Sequence, residues 1–284
     1  MKDVHFYKNI LFLCLIVLLF SGCKSDKIYS VEPFDVRTNL NVFTEGSRAI
    51  FTQRHLKSKK EKWVGGIFGG NQFPEWNEVL YKDSVIRIDP QVKNAVDTEA
   101  ASEYPSKERS QFDFYDVTFI NPQKTSFIAR ISGPYNIGNR YFVFTAQPGG
   151  LKIYSIDRTA VIKNDDKEAY REMLKVGNDL LMVDNDYIFN QKNGKAYEIT
   201  RPGKDRIRGP FSVLSPDRQT ITFDTDHGFY QCHYPTGKTY TESAEPADLD
   251  KLVKDDQKKW PYNYFSWTTD ENGVMFMKGK RKIS

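Results

Sequence analysis

Phe211-Ser212-Val213-Leu214-Ser215-Pro216-Asp217 leads through Gln219-Thr220-Ile221-Thr222-Phe223 and Asp226-His227-Gly228 into the run Phe229 to Tyr234, then Thr236-Gly237-Lys238-Thr239-Tyr240. Aromatic and β-branched residues fit a pleated, half-buried surface, and they fill the short runs here. Ser-Pro-Asp, Asp-His-Gly and Thr-Gly-Lys cut those runs, and each is turn chemistry. The stretch reads as four short strands joined by tight turns.

The same pattern extends in both directions. Asn193-Gly194-Lys195-Ala196-Tyr197 echoes Thr236-Gly237-Lys238-Thr239-Tyr240, and Phe119-Ile120-Asn121-Pro122-Gln123 echoes Leu214-Ser215-Pro216-Asp217. Phe265 to Phe276 opens like a further unit. Strands are also expected at Ala49 to Phe51, Trp63 to Phe68, Val79 to Tyr81, Val85 to Ile88, Phe112 to Ile120, Ser126 to Ile131, Arg140 to Thr145, Leu151 to Ile156, Leu180 to Val183, Tyr187 to Asn190 and Ala196 to Ile199. Many short strands at close spacing mean an all-β sandwich, barrel or propeller. Three loop helices are expected on that scaffold: Asp165 to Val176, Ala247 to Gln257 and Val92 to Ala100. The first has a capping-box-like start and Gly177 beyond its end. The second follows Pro246.

The 211–240 unit resembles a blade of the Tol-system and WD-like β-propellers. Such a blade takes ~40–50 residues, so about five would fit in residues 45–284. The resemblance implies a ring in which each sheet buries its neighbour's face and no edge stays open. A β-sandwich is the alternative.

The amino terminus carries an address. Lys2 and Lys8 precede an unbroken apolar run, Ile10 to Phe20, which ends in Phe20-Ser21-Gly22-Cys23. A helical crossing needs ~20 apolar residues, so this run reads as an export signal. Two small residues before a cysteine resemble the lipobox of bacterial lipoproteins, although Phe20 departs from the usual Leu or Val. That resemblance implies cleavage after Gly22, acylation of Cys23, and, with Lys24 rather than Asp next, an outer-membrane protein facing the periplasm. Residues 1–22 are then signal and 23–44 a lipidated, polar tether. Several acyl chains anchor firmly where one does not. Of the three cysteines, only Cys232 would remain available, so no intramolecular disulfide is expected.

Composition excludes other classes. The 284 residues carry 41 basic and 37 acidic side chains, and a formal +4 so dispersed does not suggest nucleic acid. No Gly-x-Ser-x-Gly, His-Glu-x-x-His or Cys-x-x-Cys occurs. Gly237-Lys238-Thr239 lacks the glycine a phosphate loop needs five residues earlier. Asp184-Asn185-Asp186 is a turn, because Ile188 occupies the third ligand position of a calcium loop. Asp224, Asp226 and His233 form a candidate Zn²⁺ or Mn²⁺ set, provided the strand after the turn at Asp226-His227-Gly228 returns His233 toward the carboxylates. The alternative is a plain hairpin with Cys232 as a small buried residue.

What remains is surface. Basic residues cluster at Arg54, His55, Lys57, Lys59, Lys60 and Lys62, and again in the tail. Aromatics gather at Phe73, Trp76 and Tyr81 and at Trp260, Tyr262, Tyr264, Phe265 and Trp267. Trp76, Trp260, Tyr262, Lys59 and Lys60 are therefore the candidate partner-binding residues, with no catalytic residue and no cofactor implied. The sequence reading is a non-catalytic, lipid-anchored periplasmic protein that binds another protein. By resemblance of type it is an immunity lipoprotein neutralising a secreted toxin such as a type VI effector lipase. The alternatives are an envelope-assembly scaffold, a metal-dependent hydrolase, and a wall-binding module that stacks sugars on its aromatics.

Overall fold

The computed structural model describes residues 27–42, 50–59, 62–64, 70–73, 75–88, 113–132, 140–156, 172–203, 207, 209–225, 228–243 and 265–279. The chain opens with β1 (Lys27–Tyr29) and β2 (Val31–Pro33), followed by β3 (Phe51–Lys57). The short pair β4 (Lys62–Val64) and β5 (Gly70–Gln72) precedes β6 (Glu75–Tyr81) and β7 (Ser84–Ile88). A meander then runs through β8 (Asp113–Phe119), β9 (Ser126–Ser132), β10 (Arg140–Gln147) and β11 (Gly150–Ser155). The next comprises β12 (Met173–Lys175), β13 (Leu180–Val183), β14 (Tyr187–Asn190) and β15 (Lys195–Glu198). A third is formed by β16 (Phe211–Leu214), β17 (Thr220–Thr225), β18 (Gly228–His233) and β19 (Lys238–Ser243), and the last hairpin is β20 (Phe265–Thr269) with β21 (Met275–Gly279).

These strands make a first sheet β1-β7-β6-β3, a second β2-β11-β10-β9-β8, a third β12-β13-β14-β15, a fourth β16-β17-β18-β19 and a fifth β20-β21, with β4-β5 apart. Four buried clusters join them in sequence order. Tyr81, Ile86, Phe127 and Phe144 lie between the first and second sheets. Ile128, Val143, Val183 and Phe189 lie between the second and third. Met182, Ile188, Ile221 and Phe223 join the third to the fourth, and Phe229, Phe265 and Met277 join the fourth to the fifth. Each middle sheet thus buries both faces, which explains why β10, β13 and β18 are nearly all buried rather than alternating. The fold is all-β, a row of small stacked sheets. Among the described residues no buried cluster joins the fifth sheet to the first.

The sequence echoes are structural equivalents. β14 and β15 are joined through Gln191 to Gly194, and β18 and β19 through Tyr234 to Gly237, with Gly194 at φ +66° and Gly237 at φ +74°. Both are glycines because the last turn residue must be left-handed. Likewise Asn121 Oδ1 accepts the amides of Thr125 and Ser126 at 3.0 Å, while Ser215 Oγ accepts those of Gln219 and Thr220 at 3.2 and 2.8 Å. A side chain that caps the amides four and five residues on closes the first turn of the second and fourth sheets alike.

Two expectations need correction. Residues 27–42, expected within the tether, are built into the fold. β1 pairs in parallel with β7, and β2, after the single residue Ser30, pairs in parallel with β11. Phe34 then packs on Tyr187 and Phe189, and Asn41 Nδ2 donates to Asn193 O at 2.6 Å. Leu40 is buried, and its carbonyl accepts from Asn121 Nδ2 and Ser126 Oγ. The segment straps three sheets together, and its scattered apolar residues are the anchors. The carboxyl-terminal end of the expected helix Asp165 to Val176 is β12, because Met173 and Leu174 find backbone partners opposite Val183 and Met182. The rest of that helix, and those expected at 92–100 and 247–257, lie outside the described residues; among the described residues there is no helix.

Candidate functional site

Among the described residues, the first sheet ends the stack. Its inner face carries Tyr81, Ile86 and Ile88 against the second sheet. Alternation therefore sends Arg54, Leu56, Trp76, Glu78 and Arg87 to the opposite face. The β3–β6 register sets Arg54 against Glu78 and Leu56 against Trp76. Glu78 is only 4 % exposed yet charged, and everything around it is arranged to hold that charge. Arg54 Nε donates to Oε2 at 2.8 Å, Arg87 donates to Oε1 at 3.0 Å, and Trp76 Nε1 donates to Oε1 at 3.2 Å. Burial alone would raise the Glu78 pKa, but the hydrogen bonds from Arg54, Arg87 and Trp76 outweigh it, and the carboxyl stays below the usual glutamate range.

One buried carboxylate thus positions two guanidinium groups and an indole. The Arg87 side chain is 13 % exposed and that of Arg54 is 42 % exposed, so one cation is structural and the other is offered to solvent. Along the same β3 edge, Lys57 pairs with Glu75 at 2.7 Å and stands 5.8 Å from the centre of the exposed Phe73 ring. His55 bonds Asn77, whose amide in turn donates to Asp113 on the second sheet at 2.7 Å. The Lys57 hydrogen bond, with help from His55, lowers the Glu75 pKa. Arg54 and Trp76 thus share one face of the sheet, both held by the Glu78 carboxylate. Arginine and aromatic side chains are the kinds that most often anchor protein interfaces.

Of the residues expected at a site, Trp76 belongs to this face, and Lys59 is exposed two residues beyond β3. Lys60, Trp260, Tyr262 and Cys23 lie outside the described residues, as does Asp226. The metal set does not assemble as expected. Asp224 pairs opposite Phe229, while His233 pairs opposite Thr220, so ~13 Å of strand separates the two. His233 instead contacts Thr236 Oγ1 at 2.7 Å and Gln219 Oε1 at 3.2 Å; burial lowers its pKa against the opposing pull of Asp217 and Asp270. Among the described residues no group of three His, Cys, Asp or Glu side chains is placed to hold a metal ion. Cys232 is fully buried, with its pKa raised by burial.

Sequence reasoning placed Arg54 in a basic cluster but missed Glu78 and Arg87. The signal was a charged residue inside the apolar run of β6, and its meaning depends on what stands across the strand. Comparisons with protein families, with curated proteins and with solved structures gave no match.

Proposed function

We propose that the chain is a lipid-anchored protein of the bacterial envelope, held at the outer membrane facing the periplasm, that binds another protein and performs no chemistry of its own. Within that class the reading is an immunity lipoprotein that covers a secreted toxin, such as a type VI effector lipase. The stacked sheets would form a propeller-like body of about five units. The observation that carries the binding role is the Arg54–Trp76 pair fixed over buried Glu78. Building that arrangement on rigid strands preorganises two side chains of the kind that anchor interfaces, so little ordering remains to be done on binding. The export and lipidation signal at residues 1–23 supports the address.

The test pairs a purified form lacking the signal and the anchor cysteine, residues 24–284, with the toxin encoded beside its gene. Stoichiometric suppression of that toxin is expected, with Arg54→Ala weakening the complex by about 10-fold or more, the loss typical of a central arginine anchor. A neighbouring toxin that kills with the protein in excess sinks the immunity reading. Binding unaffected by both Arg54→Ala and Trp76→Phe removes the end face from it.

A further inference from the structure

We infer that the outer edge formed by β1 and β2 faces the phospholipid surface, with Ile28 in the headgroup layer and β3 turned away from the membrane. The inference rests on the lipid-anchor reading and adds an orientation to it. From Cys23 to the first residue of β1 there are four residue steps, which span at most ~14 Å of extended chain. An anchor at Cys23 therefore holds β1 against the bilayer and leaves no room for a free tether. β1 ends the first sheet and β2 ends the second, and only Ser30 separates them, so the two edges lie on one side of the stack.

Ile28 sits on that edge at 64 % exposure, above the other exposed large apolar side chains, Phe73 and Tyr115. An apolar side chain held there enters the boundary between headgroups and acyl chains, which lies ~5–10 Å deep. Along the same edge Glu32 pairs with Lys152 and Asp35 with Arg37, and Arg87, opposite Ile28, is held by Glu78. Ile28 stands opposite Arg87 in the β1–β7 register, on the β1 end of the face that carries Arg54. β3 lies three strand spacings from β1, about 14 Å across the sheet, and holds Arg54 farther from the bilayer.

The experiment uses the full chain processed in cells, with acylation of Cys23 read by intact mass. Ile28→Cys and, separately, Gln53→Cys on β3 are labelled with an environment-sensitive fluorophore; Cys232 is buried and acylated Cys23 has no free thiol. Each protein is reconstituted in phosphatidylethanolamine–phosphatidylglycerol vesicles whose acyl chains carry a quencher. Quenching at 28 several-fold above that at 53 is expected. It should fall when a dozen Gly and Ser residues are inserted after Lys24. Equal quenching at the two positions in acylated protein overturns the orientation while leaving the anchor intact. A mass without acyl chains overturns the anchor reading, and the orientation with it.

Discussion

Glu78 concentrates the electrostatics of the first sheet in one residue. Its pKa is lowered in the folded protein. Its contribution to stability is therefore complete above the unfolded value of ~4.3 and is lost as pH falls through the lower folded value. Glu78→Gln should cost about 2–3 kcal/mol at neutral pH, less than the ~3–5 kcal/mol of a fully buried pair because Arg54 is half-exposed. The variant's urea midpoint should also fall less steeply than the wild type's between about pH 5 and pH 3. Parallel acid limbs for the two proteins would mean that Glu78 does not carry this dependence. Gly209 makes a different demand. A β-carbon there would lie 1.3 Å from the backbone oxygen of Asp224, which no rotamer change relieves. Gly209→Ala should destabilise by about 3 kcal/mol or more, read by thermal melting.

At the scale of elements, the closing hairpin shows how a bare edge is managed. The outer edge of β21 has no strand beside it among the described residues, and side chains of the fourth sheet take that place. Thr220 Oγ1 donates to Met275 O, and the Gln231 amide donates to Met277 O and accepts from Met277 N, both at 2.7 Å. Glu242 Oε1 accepts from Gly279 N at 2.9 Å. Alternate residues of β21 thus meet side chains from β17, β18 and β19 in turn, which blocks pairing with another chain. Stacking of Tyr240 on Phe276 and the Lys238–Asp270 ion pair fix the crossing. Gln231→Ala should strip both partners from the buried Met277 backbone, a loss of about 2 kcal/mol. Faster amide exchange confined to 265–279 is the expected signature, and uniform acceleration across all five sheets would contradict local docking.

For the whole molecule, the strap over residues 27–42 decides where the folded unit begins. A protein started at residue 45 loses the outer strands of two sheets, and with them the buried Phe34 and Leu40 and the carbonyl that Asn121 and Ser126 share. It should melt well below a protein started at residue 24, or fail to fold, whereas a passive tether would leave the melting temperature unchanged. The strands at 180–183 and 187–190, the turns at Asn121 and Ser215, and the left-handed glycines at 194 and 237 were all legible in the sequence. Each is set by neighbours a few residues away, through turn chemistry and side-chain fit to a pleated surface. β1, β2 and β12 were not legible, because three-residue strands are held by backbone hydrogen bonds to distant partners and carry no side-chain pattern of their own. For the same reason the Arg54–Glu78–Arg87 cluster was hidden, and the sequence left both a metal set and a plain hairpin open at Asp224 and His233. Local chemistry in the sequence determined that this protein is built of short strands joined by tight turns. Only the tertiary structure decided which edges pair and which charges meet, because cross-strand register is settled by the packing of whole sheets.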